Sequence, residues 1–178
     1  MTEKILIAGF GGQGVLFAGK MLAYGGMMEG REVSWLPSYG PEMRGGTANC
    51  NVILSDTPIG SPIIDAPNVL IAMNLPSLDK FESCCEPGAK IFIDSSLIDR
   101  KAERTDVQAY CVPAARMADE NGMAGLGNMI LLGKMIRECP VLPREKWETV
   151  LRKVVSARKQ GLLELNLKAL EMGWTYQE

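Results

Sequence analysis

The stretch ILIAGFGGQGVLFAGK, residues 5–20, decides how the rest of the chain is read. Two glycine patterns overlap in it. Gly9, Gly11 and Gly14 form G-x-G-x-x-G, the spacing of a dinucleotide-binding turn, while Gly14, Gly19 and Lys20 form G-x-x-x-x-G-K, most of a phosphate-binding P-loop. The apolar run KILIAG (4–9) has the length and composition of a buried strand. Val15, Leu16, Ala18, Met21, Leu22 and Gly25 then recur at helical spacing, which predicts a helix over 13–28. Strand, glycine turn and helix in that order open an α/β sheet.

The P-loop needs Ser or Thr after the lysine to hold Mg²⁺, and Lys20 is followed by Met21. Gly14 to Lys20 also falls inside the predicted helix, which puts Lys20 on a solvated helix face. The dinucleotide pattern has the right flanks, but the acidic residue expected at the end of strand two is missing. Leu36, Pro37 and Ser38 stand there, and Glu42 comes later, in a loop. Three readings of the glycine loop remain open: a turn that serves packing alone, a dinucleotide site, or a loop that faces a partner subunit or an anionic cofactor held mainly elsewhere.

Outward from this loop, REVSWLP (31–37) and TANCNVILSD (47–56) read as strands two and three. Roughly ten residues separate them, too few for a crossover helix, so an antiparallel element is expected. PNVLIAMN (67–74), AKIFIDSS (89–96) and DVQAYCVP (106–113) read as further strands. Helices are predicted over 75–85, 114–122, 126–139, 144–159 and 162–173. The fourth carries Trp147, Val150, Leu151, Val154 and Val155 at amphipathic spacing. The expected fold is α/β: a Rossmann-like, doubly wound mixed sheet, mostly parallel, with helices on both faces and one domain over residues 1–178.

Composition excludes several function classes. The chain is 47% apolar and 22% charged with net charge −2, so nothing favours nucleic acid or an anionic membrane as a partner. The uncharged run 5–19 is too short to span a bilayer, and Glu3 and Lys4 interrupt any leader, so a cytoplasmic location is expected. There is no histidine, which removes Ser-His-Asp and Cys-His nucleophile systems and most zinc sites. Cys50, Cys84, Cys85, Cys111 and Cys139 lack cluster spacing and read as structural thiols. Asp94 closes a strand, where capping by an Asp-Ser-Ser turn competes with a functional role.

The second concentration of chemistry is SYGPEMRGGTANC (38–50), with Tyr39, Glu42, Arg44, Gly45, Gly46 and Thr47. If strands one and two are neighbours, this loop lies beside the glycine loop, and Arg44 completes an anion cradle. The alternative is a Glu42–Arg44 surface pair. Asn128, in GLGN before a buried helix, either caps it or turns its amide toward a neighbouring chain.

Together GFGGQGVLFAGKMLA, YGPEMRGGTANCNV and GNMILLGKM resemble the gamma subunit of 2-oxoacid:ferredoxin oxidoreductases, of the 2-oxoglutarate or 2-ketoisovalerate type, over residues 3–172. The resemblance implies a complex that oxidatively decarboxylates a 2-oxoacid with coenzyme A, giving acyl-CoA and CO₂ and reducing ferredoxin. It implies that thiamine diphosphate and Mg²⁺ are held by alpha and beta subunits and iron–sulfur clusters by a delta subunit or cluster domains. No catalytic residue, metal site or cofactor is implied for this chain alone. Gly9, Gly11, Gly12, Gln13, Gly14, Tyr39, Glu42, Arg44, Gly45, Gly46, Thr47 and Asn128 are then expected to face the other subunits or coenzyme A. Two alternatives stand beside this reading: a stand-alone nucleotide-binding module or NAD(P)-dependent reductase, and a purely structural subunit. An isolated gamma chain is expected to be inactive and prone to form a homodimer.

Overall fold

The computed structural model describes residues 1–38, 47–156 and 161–178. Six strands form one sheet: β1 (Thr2–Phe10), β2 (Glu32–Ser38), β3 (Thr47–Ser55), β4 (Val69–Ala72), β5 (Lys90–Asp94) and β6 (Gln108–Val112), in spatial order β2-β3-β1-β4-β5-β6. β1, β4, β5 and β6 run parallel, and β3 is antiparallel to both β1 and β2. The mixed sheet expected from the sequence is therefore present. The expected adjacency of strands one and two is not. A connection too short for a crossover reverses the chain, and β3 returns into the space between them.

Alternation along the strands sorts the core into two layers. Ile5, Ile7, Val52, Leu54, Ile71 and Phe92 face α1 (Val15–Met28), α3 (Ala114–Glu120), α4 (Gly127–Glu138), α5 (Trp147–Val154) and α6 (Gly161–Thr175). Leu6, Leu70, Ala72, Ile91 and Ile93 face the other way, toward α2 (Leu75–Phe81). Helices cover both faces, but unequally.

α4 is buried nearly all round, as its sequence predicts, and crosses α6 at a contact made by two glycines. A Cβ on Gly133 would stand 2.1 Å from the Leu170 carbonyl oxygen, and one on Gly173 1.8 Å from that of Ile130. Two predicted helices are shorter than their patterns. The 75–85 segment is helical to Phe81 and tightens into a 3₁₀ turn over Glu82–Cys84. The 144–159 segment begins with a 3₁₀ turn at Arg144–Lys146, and its α-helix ends at Val154, where Val155 turns extended. β-branched residues in series at 154–155 oppose the helix that their spacing suggests.

Asp56 N donates to Met1 O at 3.2 Å, which fixes the parity of the β1–β3 ladder. With the observed register, Ser34 and Leu36 bond to β3, while Val33, Trp35 and Pro37 turn their backbone groups to the free edge. Pro37, which has no N–H to offer, stands where none is needed. At the other end, the helix-free connection between β5 and β6 is tied to α2 by the buried Glu82. Its carboxylate accepts from Arg104 N at 3.0 Å and Arg100 Nη1 at 2.9 Å, and from Glu103 N.

Candidate functional site

β1 leads into α1 on one face of the sheet, and its parallel neighbour β4 leads into α2 on the other. Their carboxyl ends thus form the topological switch point where open α/β sheets bind ligands. Here the crevice is spanned by a side chain of the chain itself. Gln13 Oε1 accepts from Phe10 N at 2.6 Å, and Gln13 Nε2 donates to Met73 O at 3.1 Å, so one side-chain amide bridges the ends of β1 and β4.

The glycines make room for this arrangement. A Cβ on Gly9 would meet Gln13 Oε1 at 2.7 Å. Gly14 caps α1 in the left-handed region (φ 75°), and a Cβ there would meet Asn128 Nδ2 at 2.3 Å. Gly12 is also left-handed, with φ 93°. Asn128 lies in the first turn of α4, and its Nδ2 donates to Gly14 O at 3.1 Å. Its amide therefore serves the glycine loop of its own chain, and its Oδ1 is buried without a hydrogen-bond partner. Gly19, the second glycine of the P-loop pattern, is mid-helix. A Cβ there would stand 2.4 Å from Cys50 Sγ, so Gly19 lets α1 lie close on β3. Lys20 stands more than one turn into the helix, which rules out a phosphate-gripping P-loop geometry.

Gly11, Gly12 and Gly14 border three adjoining cavities. One of about 250 Å³ lies over the first turn of α1, between Phe10, Phe17 and Ala48. One of about 510 Å³ is mostly apolar, between Phe17, Leu126, Val154 and Leu162, with Asn128 and Asn166 on its wall. The third, of about 130 Å³, lies between Gln13, Asp94, Leu97, Asp119 and Asn128. Asp94 caps the start of α3, accepting from Ala115 N at 3.1 Å and Ser96 N at 3.1 Å. Burial pushes its carboxyl above the ordinary carboxylate range, against the hydrogen bonds from Ser96, Ala115 and Ala114.

Tyr39, Glu42, Arg44, Gly45 and Gly46 lie outside the described residues. Their flanks are fixed: Thr47 pairs with Phe10 and Ser38 with Asn49, so this connection starts and ends at the same sheet edge as the glycine loop. The structure thus brings together Gly9, Gly11, Gly12, Gln13, Gly14 and Asn128. Sequence reasoning missed Met73, which contributes a backbone carbonyl, and Asp119 and Asn166, which sit in patterns that read as ordinary helix surface and core.

Burial pushes the thiols of Cys50 and Cys85 up to about 12 and that of Cys139 up to about 11. Such thiols are poor ligands for an iron–sulfur cluster, and among the described residues no three acidic or cysteine side chains converge. No helix among the described residues is long and apolar enough to cross a membrane.

This α/β unit has the fold found in an oxidoreductase gamma subunit. Residues 4–176 match the family described as pyruvate ferredoxin/flavodoxin oxidoreductase, and the chain belongs to it. The ketoisovalerate oxidoreductase subunit VorA of Methanothermobacter marburgensis is 40% identical over 171 residues, covering 96% of this chain and 35% of that protein. The chain therefore spans about a third of that relative's length. The 2-oxoglutarate synthase subunit KorC of Methanocaldococcus jannaschii is 30% identical over 177 residues, covering 98% of this chain and 93% of that subunit. Among solved structures, the gamma subunit of a keto/oxoacid ferredoxin oxidoreductase from Geobacter sulfurreducens superimposes with a TM-score of 0.82 at 27% identity, covering 97% of this chain and 96% of that one.

Proposed function

We propose that this chain is the gamma subunit of a multi-subunit 2-oxoacid:ferredoxin oxidoreductase. The complex oxidatively decarboxylates a 2-oxoacid with coenzyme A, yields acyl-CoA and CO₂, and passes electrons to ferredoxin. The observation that carries the reading is the near end-to-end match to a KorC subunit and to a gamma-subunit structure. Thiamine diphosphate, Mg²⁺ and the clusters belong to alpha, beta and delta partners. This chain supports assembly and borders the path of coenzyme A, with the glycine loop and residues 39–47 toward the catalytic chains. The absence of an acidic residue at the end of β2, where Leu36, Pro37 and Ser38 stand, speaks against a dinucleotide module.

Anaerobic affinity purification of the chain from its host, followed by assay with 2-oxoacid, coenzyme A and a viologen dye, tests the proposal. Co-purifying catalytic chains, and turnover by the assembly but not by the chain alone, are expected. Branched 2-oxoacids are the first to try, since the identity to the ketoisovalerate subunit exceeds that to the 2-oxoglutarate one. A chain recovered alone that binds NADH or FAD sinks the proposal.

A further inference from the structure

The sheet ends in two different ways. At the β6 edge the chain's own Glu178 carboxylate reaches Cys111 N at 3.5 Å. At the β2 edge, among the described residues, no strand pairs with the outer side. The groups that face outward there are the N–H and C=O of Val33 and Trp35, then the carbonyl of Pro37. Edge strands usually carry charges that keep other strands away. From Val33 to Ser38 there is none, and Trp35 and Leu36 are each 38% exposed.

This short row of groups is complementary to itself. In an antiparallel pair of two copies related by a two-fold axis at Ser34, Val33 of each copy stands opposite Trp35 of the other. Each such pair exchanges two hydrogen bonds, so every outward N–H and C=O of Val33 and Trp35 is satisfied. The neighbouring registers do worse. An axis at Trp35 sets Val33 against Pro37, which has no N–H to give. An axis at Val33 sets Trp35 against Arg31, whose N–H is already bonded to Gly26 O at 3.0 Å. Pro37 thus limits the ladder to one register rather than forbidding it.

The side chains agree with that register. Val33 and Trp35 lean toward α1, where they lie beside Gly26 and Gly19. Across the axis they form two pairs of aromatic with β-branched residue, a favourable cross-strand combination. On the opposite face the two Ser34 hydroxyls meet at the axis, and Glu32 stands opposite Leu36 of the other copy. The two Glu32 carboxylates are then four residues out of step, about 13 Å along the strands, so they do not repel at close range.

We propose that β2 mates with β2 of a second copy of this chain, antiparallel about a two-fold axis at Ser34, so that the two sheets join into one. The interface is isologous, and the pairing closes on itself as a dimer. Few bonds join the copies, so the pairing is reversible and the edge opens on dilution. This inference goes beyond the subunit reading and does not depend on it.

The test uses the purified full-length chain. Sedimentation at rising concentration is expected to show a monomer passing to a dimer, with slow deuterium entry at Val33 and Trp35 in the dimer. Ser34→Lys sets two like charges face to face, with Cα atoms about 4.5 Å apart, and is expected to lose the dimer. Slow exchange at Leu36 in that variant shows that β2 still holds β3. Ser34→Cys, treated with copper phenanthroline as oxidant, is expected to form a disulfide-linked dimer, because that Cα spacing suits a disulfide. Leu36→Cys, about 13 Å from its counterpart, is expected to stay at the level of the wild-type chain. A chain that stays monomeric at every concentration overturns the inference, as does a dimer that survives Ser34→Lys or cross-links equally through Leu36→Cys. Protection of Val33 and Trp35 only when the catalytic chains are present gives the edge to another chain and also overturns it. None of these outcomes bears on whether the chain belongs to an oxidoreductase, which the co-purification decides.

Discussion

Replacing Gln13 by Leu keeps the side-chain volume and removes both hydrogen bonds that tie β1 to β4. The Met73 carbonyl then loses its donor and the Phe10 N–H its acceptor, at a cost of about 1–2 kcal/mol. A lower urea midpoint with unchanged slope checks this. At Gly14, a methyl group meets both a left-handed backbone and the Asn128 amide. Gly14→Ala is expected to cost about 1–3 kcal/mol, and adding Asn128→Ala should return part of that loss, as a double-mutant cycle in denaturant would show. The need for glycine at the strand-to-helix turn was legible in the sequence, because the motif carries its own spacing. Its partner was not: Asn128 stands 114 positions away, and nothing local marks an amide that reaches back across the sheet.

At the scale of elements, the strand and helix pattern was legible wherever hydrophobic periodicity ran uninterrupted, as in β1, β4, β5 and α4. The order of strands was legible only in part. The short 39–46 connection dictates an antiparallel return, but whether the returning strand lands inside or outside β2 depends on whether β2 pairs with β1 directly or leaves a one-strand gap, and no residue pattern states that. The α4–α6 crossing was illegible too, since Gly133 and Gly173 look like weak points in two otherwise good helices. In the fold they are the contact. Gly133→Ala or Gly173→Ala drives a methyl group into a backbone carbonyl, which cannot rotate away as a side chain does. Each is expected to cost about 3 kcal/mol or more, well beyond the few tenths to 1 kcal/mol that Ala gains over Gly inside a helix. A fall in Tm of several degrees is the readout.

For the molecule as a whole, pH acts through two buried carboxylates with opposite signs. Burial raises Glu82, but the hydrogen bonds from Arg104 N, Arg100 and Glu103 N together hold it below its ordinary value of 4.5. Its contribution is therefore fully present above pH 4.5 and is lost as pH falls through the folded value. Asp94 is raised above 3.8, so its contribution is full below that pH and declines as pH rises through the folded value. Glu82→Gln should flatten the acid limb of the stability–pH curve, and Asp94→Asn should remove the decline just above pH 3.8. Urea midpoints taken from pH 3 upward, on the order of every half unit, separate the two.

The parity of β2 reaches beyond the static fold. Because every second peptide of this strand faces away from β3, the amide protons of Ser34 and Leu36 are held in the ladder while those of Val33 and Trp35 are open to solvent. Deuterium should therefore enter β2 in alternation, fast at Val33 and Trp35 and slow at Ser34 and Leu36, with Pro37 silent. When a neighbouring chain covers that edge in the assembled enzyme, the alternation should vanish, so these four amides form a built-in gauge of whether the edge is occupied.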